Sequence, residues 1–157
     1  MRPTLKSPAV VLATAMLSVL LAGWTSTTSQ MKVCTDKDAE QALNLPVRYK
    51  DWDAAYRIFK RFGQCDDGAI AEGYSEAIAQ LLAHDWEHLN VLIRLTSSDK
   101  AFKEFVLRHI DETLSEDELQ AIVSNSRLRC PIGGKAFCKL IETRAVTSLD
   151  GVRKDLQ

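Results

Sequence analysis

Residues 51–63 read Asp51-Trp52-Asp53-Ala54-Ala55-Tyr56-Arg57-Ile58-Phe59-Lys60-Arg61-Phe62-Gly63, and this stretch decides the fold class. Trp52, Ala55, Tyr56, Phe59 and Phe62 recur at steps of three and four, which sets them along one face of a helix. Arg57, Lys60 and Arg61 fall on the other faces. Asp51 suits an N-cap, because its carboxylate can accept one of the free amides of the first turn. Gly63 suits the C-terminal stop.

The same period continues down the chain. Residues 66–83 carry Ile70, Tyr74, Ala77, Ile78, Leu81 and Leu82 on one stripe, with the small Gly73 inviting close approach of a neighbouring helix. Residues 85–95 place Trp86, Leu89, Leu92 and Ile93 inward, and residues 100–113 place Phe102, Phe105, Val106 and Ile110. Ser115-Glu116-Asp117-Glu118 is a capping box, with Ser at the cap and Glu three residues on. It opens a helix carrying Leu119, Ile122 and Val123 toward Arg127. Cys130-Pro131-Ile132-Gly133-Gly134 breaks the pattern, and a last helix over 135–144 uses Phe137, Leu140 and Ile141. No segment alternates with period two. The expected fold is therefore all-α: a compact bundle, or array of helix hairpins, of five or six short helices held by disulfides. A weakly patterned lead-in over 31–49 with one short helical piece precedes the domain at 50–145, and a flexible tail over 146–157 follows.

The first thirty residues belong to a different class. Arg2 and Lys6 flank an apolar run from Ala9 to Ala22, and the polar Thr25-Ser26-Thr27-Thr28-Ser29-Gln30 follows. This is the layout of a secretory signal peptide, with a run too short for a span of about 20 residues. Leu20-Leu21-Ala22-Gly23 resembles the start of a bacterial lipoprotein signal, but Trp24 stands where that pattern needs a cysteine to acylate. The expected product is periplasmic or secreted, without a stable membrane anchor. Removal of residues 1–30 takes away two basic residues and leaves 18 Lys and Arg against 21 Asp and Glu, a net charge of −3. That balance excludes the basic excess of a nucleic-acid binder.

The four cysteines, Cys34, Cys65, Cys130 and Cys138, all lie downstream of the signal. An even count in an exported chain points to two disulfides. Four cysteines allow three connectivities, and spacing alone does not choose among them. The expected pairing is Cys130–Cys138, across the turn at Pro131 and Gly133-Gly134, with Cys34–Cys65 following by elimination.

Candidate chemistry is sparse. His84-Asp85-Trp86-Glu87-His88 resembles the inverted zinc-protease signature H-x-x-E-H, in which two His one helical turn apart bind zinc and the Glu activates bound water. A small zinc hydrolase on His84, Glu87 and His88 is the alternative to the leading reading. The competing account of that stretch is a solvated helix start with Trp86 as a core anchor. His109 sits near a helix C-terminus, where the dipole favours a protonated ring. Asp66-Asp67 and Asp51/Asp53 sit at helix starts, where capping explains them. No catalytic residue, cofactor or metal is expected.

The leading expectation is an exported, non-enzymatic binding protein whose partner is another protein. Bacterial immunity proteins against periplasmic toxins look similar at the level of class: signal peptide, compact helical domain, disulfides, mildly acidic charge. An envelope structural or assembly factor is a further alternative. Mass spectrometry of protein from the native host should find an N-terminus beyond Gly23 and no lipid; an intact chain from Met1 in the cytosol would overturn the export reading.

Overall fold

The computed structural model describes residues 32–45 and 49–155. The signal-peptide reading of 1–30 and the last two residues of the tail lie outside them. Among the described residues there are seven α-helices and no strand. In chain order these are α1 (Asp36–Leu43), α2 (Trp52–Phe62), α3 (Gly68–His84), α4 (Leu89–Ser98), α5 (Lys100–Arg108), α6 (Glu116–Leu128) and α7 (Lys135–Asp155). Single 3-10 turns lie between α2 and α3 and between α3 and α4. No helix among the described residues is long and apolar enough to cross a membrane.

The helix starts follow the side chains. Thr35, Asp51, Asp99 and Ser115 each cap a first turn by accepting the backbone amide three residues on. At Ser115 the Glu118 carboxylate also accepts the Ser115 amide, completing the capping box.

α3 forms the centre. Tyr74, Ala77, Ile78, Leu81 and Leu82 are buried, and α1, α2 and α6 pack around it. α2 meets α5 through an aromatic stack: Phe59 lies 5.2 Å from Phe102 and 4.9 Å from Phe105, ring centre to ring centre. α6 and α7 pack as an antiparallel pair. Arg127 near the end of α6 bonds Glu142 early in α7, and Arg153 near the end of α7 bonds Glu116 at the start of α6.

Both disulfides are present with the expected pairing. Cys34–Cys65 joins the segment before α1 to the turn after α2, across a Cα separation of 4.9 Å. A small apolar cluster of Ala42, Phe62 and Cys65 forms where it docks. Cys130–Cys138 spans 6.1 Å and closes the turn between α6 and α7.

Four expectations change. The helix count is seven, since the lead-in piece forms the complete two-turn helix α1 and the six longer patterns all become helices. α5 ends at Arg108 rather than Thr113, because His109 turns inward and the Asp111 carboxylate accepts the Thr113 amide, holding a turn in place of helix. Leu140, expected inward, is 40% exposed, because α7 buries Cys138 and Ile141 instead. The largest change is the tail. α7 continues to Asp155, with Ser148 and Leu149 buried. Thr147, Ser148, Asp150 and Gly151 are poor helix formers, so propensity argues against a helix there. Tertiary contact overrides it: the Ser148 hydroxyl donates to the Ile110 carbonyl at 2.9 Å. Gly151 lies close to Glu112: a Cβ there would stand 2.4 Å from the carboxylate and would push that exposed side chain aside.

Each disulfide restricts the unfolded chain and contributes on the order of 2–4 kcal/mol. Reduction should lower the melting temperature clearly while helix content at room temperature changes little. Circular dichroism with and without reductant checks this, and non-reducing peptide mapping checks the pairing.

Candidate functional site

The H-x-x-E-H stretch does not form a continuous helical face. His84 ends α3, Asp85 leaves helical geometry at φ −112° and ψ 32°, and Trp86–His88 is a 3-10 turn. Two His at this spacing therefore lack the shared face that the zinc arrangement needs. His88 turns back onto Asp85, with Nδ1 2.5 Å from the carboxylate. That hydrogen bond, reinforced by the charge of Asp85, holds the imidazole above its ordinary pKa and so opposes metal ligation, which requires the neutral ring. Among the described residues no three His, Cys, Asp or Glu side chains converge as a metal site. Trp86 has the anchoring role: it is buried, and its indole N–H donates to the Arg129 carbonyl at 2.8 Å.

His109 belongs to a buried chain of polar bonds that sequence spacing does not reveal. It is 2% exposed, and Ser75 on α3 is 1% exposed. The Ser75 hydroxyl donates to Asp111 at 2.6 Å, and its oxygen lies 3.0 Å from His109 Nδ1. His109 Nε2 lies 3.2 Å from the Asp66 carboxylate, and Arg108 pairs with the same carboxylate. Since Ser75 gives its one proton to Asp111, it accepts from Nδ1–H. Both ring contacts are hydrogen bonds only when the ring carries two protons.

Asp66 is thus a partner of His109 rather than a cap, and Asp67 alone caps α3. Ser, His and Asp are the residue types of a nucleophilic triad, but here the serine is sealed from solvent and its proton goes to a carboxylate, not to the imidazole. The arrangement braces the α5–α6 connection against α3. The sequence signal for it is weak, because Asp66 and Ser75 reach His109 across 43 and 34 residues.

Burial raises the pKa of both Asp66 and Asp111, but their hydrogen bonds, from His109 and Arg108 on one and from Ser75 and Thr113 on the other, outweigh it and leave both below the ordinary value of 3.8. A depressed folded pKa contributes stability above the unfolded value, lost as pH falls through the folded one.

The exposed surface presents two features. The first is the tip between α6 and α7. Leu128, the last residue of α6, is 80% exposed and Ile132, in the turn that follows, entirely so; that turn is braced on three sides. Cys130–Cys138 closes it, Trp86 holds the Arg129 carbonyl, and the Gly134 amide donates to the Pro131 carbonyl at 2.9 Å. Gly133 adopts φ 84°, which favours glycine, and a Cβ on Gly134 would stand 2.9 Å from Ile93 of α4. The surrounding charge is mainly basic. Arg127 and Lys139 share Glu142, Arg129 has Glu87 at 3.6 Å, and Lys135 is exposed.

The second feature is a groove of about 720 Å³ between α3 and the start of α6. Ala69, Gly73 and Leu114 contribute its apolar lining, and Glu72, Glu76 and Glu118 its carboxylates. Gly73, expected to admit a neighbouring helix, has no atom within 4 Å of the place a Cβ would take, so it opens onto this groove.

Compared with known proteins, the chain matches no family model, no curated protein and no solved structure.

Ser75→Ala leaves the His109 donor and the Asp111 acceptor unmatched in a buried site and should destabilise by about 1–3 kcal/mol. Asp111→Asn should flatten the fall in melting temperature between about pH 5 and about pH 2 relative to the parent. Thermal denaturation across pH tests both; an unchanged acid slope would show that Asp111 is not coupled to folding.

Proposed function

We propose that this is an exported, non-enzymatic binding protein that occupies the surface or cleft of another protein, in the manner of an immunity or inhibitor protein against a periplasmic toxin. The observation that carries the reading is the tip: two large apolar side chains are exposed, Leu128 at the end of α6 and Ile132 in the disulfide-closed turn that follows it. Two large apolar side chains exposed close together in the chain, beside a braced turn, offer a partner apolar surface to cover. Full coverage of each side chain is worth about 1.5–3 kcal/mol. Because the turn is held before contact, little ordering entropy opposes binding. The basic rim favours a partner surface with carboxylates around an apolar hollow. The two disulfides and the absence of a membrane-crossing helix among the described residues are compatible with an exported protein.

The test is paired capture from a periplasmic extract, with the parent chain and a Leu128→Ser/Ile132→Ser variant as baits. The expected result is a partner held by the parent and lost by the variant, whose melting temperature is unchanged. Identical capture by both baits, or one tightly held zinc per chain with hydrolytic activity, would overturn the reading.

A further inference from the structure

The tip and the groove are opposite in charge. The tip exposes Leu128 and Ile132, with Lys135 exposed near them in the chain. The groove is concave, with Ala69, Gly73 and Leu114 apolar and Glu72 and Glu76 exposed at its edge. Its volume of about 720 Å³ falls in the range of clefts that hold compact ligands, roughly 300–1,000 Å³. Both features belong partly to α6: Glu118 lies in its first turn and Leu128 is its last residue. Ten residues of helix separate them by about 15 Å, and a rigid helix cannot fold its own end back onto its start. A molecule therefore cannot place its tip in its own groove, but a second copy can.

We propose that the tip of one molecule docks in the acidic groove of another, head to tail. This rests on the reading of the tip as a docking element and adds what occupies it when no other partner is present. The contact is heterologous, so each copy keeps one free tip and one free groove, and association proceeds by addition rather than stopping at a closed pair unless the rotation closes a ring. Opposite charges drive it, so salt weakens it: the screening length falls from about 8 Å at physiological ionic strength to about 3 Å at 1 M. A partner that binds the tip competes with self-association.

Sedimentation velocity on the exported, purified protein tests this across a concentration series at low and high salt. The expected result is an average mass that rises with concentration and falls with salt. Leu128→Ser/Ile132→Ser removes the tip, and Glu72→Lys/Glu76→Lys removes the groove; each variant alone should remain monomeric. All four residues are exposed, so the fold should persist, as circular dichroism would verify. The decisive arm mixes the two variants. Head-to-tail docking predicts a dimer that grows no further, because the intact tip of one variant meets the intact groove of the other. A parent that stays monomeric at its highest soluble concentration, or self-association that the mixture does not restore, would overturn the proposal. Either result leaves the capture experiment free to support the binding reading on its own.

Discussion

The removal of α3 from water is the constraint on which the rest of the structure depends. Its buried face runs from Tyr74 through Ala77, Ile78 and Leu81 to Leu82, and no single neighbour covers it. α6 packs on it most extensively, with α1 and α2 on further sides. Because α6 is in turn backed by α7, the length of α7 follows from the need to cover α6 as far as its start. Ile141, Ala145 and Leu149 are the residues of α7 that meet this need. The hydrophobic contribution, about 25 cal/mol per Å² of apolar surface covered, acts across this whole assembly rather than at one contact.

Within that core most polar groups are matched to one another, the Trp52 indole N–H being an exception. Tyr74 donates to the Phe62 carbonyl, Asn125 to the Leu82 and Ala83 carbonyls, and Ser148 to the Ile110 carbonyl. The Asp66–His109–Ser75–Asp111 chain is the largest such set. An unpaired charge at that depth costs several kcal/mol, whereas a mutually bonded set is tolerated and fixes where α5 stops. The bonds that resemble catalytic machinery in residue type thus set the position of the α5–α6 connection. That connection contributes Thr113, Leu114 and Ser115 to the acidic groove.

The tip reverses the usual relation between exposure and mobility. A surface turn with two glycines is ordinarily soft, but here a disulfide, an indole hydrogen bond and the close packing of Gly134 on Ile93 remove its freedom. The same Trp86 that lies inside the zinc-like motif supplies one of these braces. The motif's most informative residue is therefore its tryptophan, which couples the turn between α3 and α4 to the end of α6.

The sequence by itself determined the all-α class and most helix starts, and it pointed to the Cys130–Cys138 loop, because these depend on local chemistry. A cap, a 3.6-residue stripe or an eight-residue disulfide loop is written within a few positions of the chain. Asp51, Ser115 and the turn at Pro131 were legible for that reason. Tertiary structure alone decided the reach of α7, where Ser148 among the weak helix formers is held by the Ile110 carbonyl, and the early end of α5. It alone decided the partners of His109, the outward aim of Leu140 and the opening beside Gly73. The physical reason is common to all of these: each depends on atoms that approach from distant parts of the chain, and the energy of meeting them is comparable to or larger than the local preference it overrides. The candidate site belongs to this second group, because exposure of Leu128 and Ile132 is a property of what the folded chain leaves uncovered.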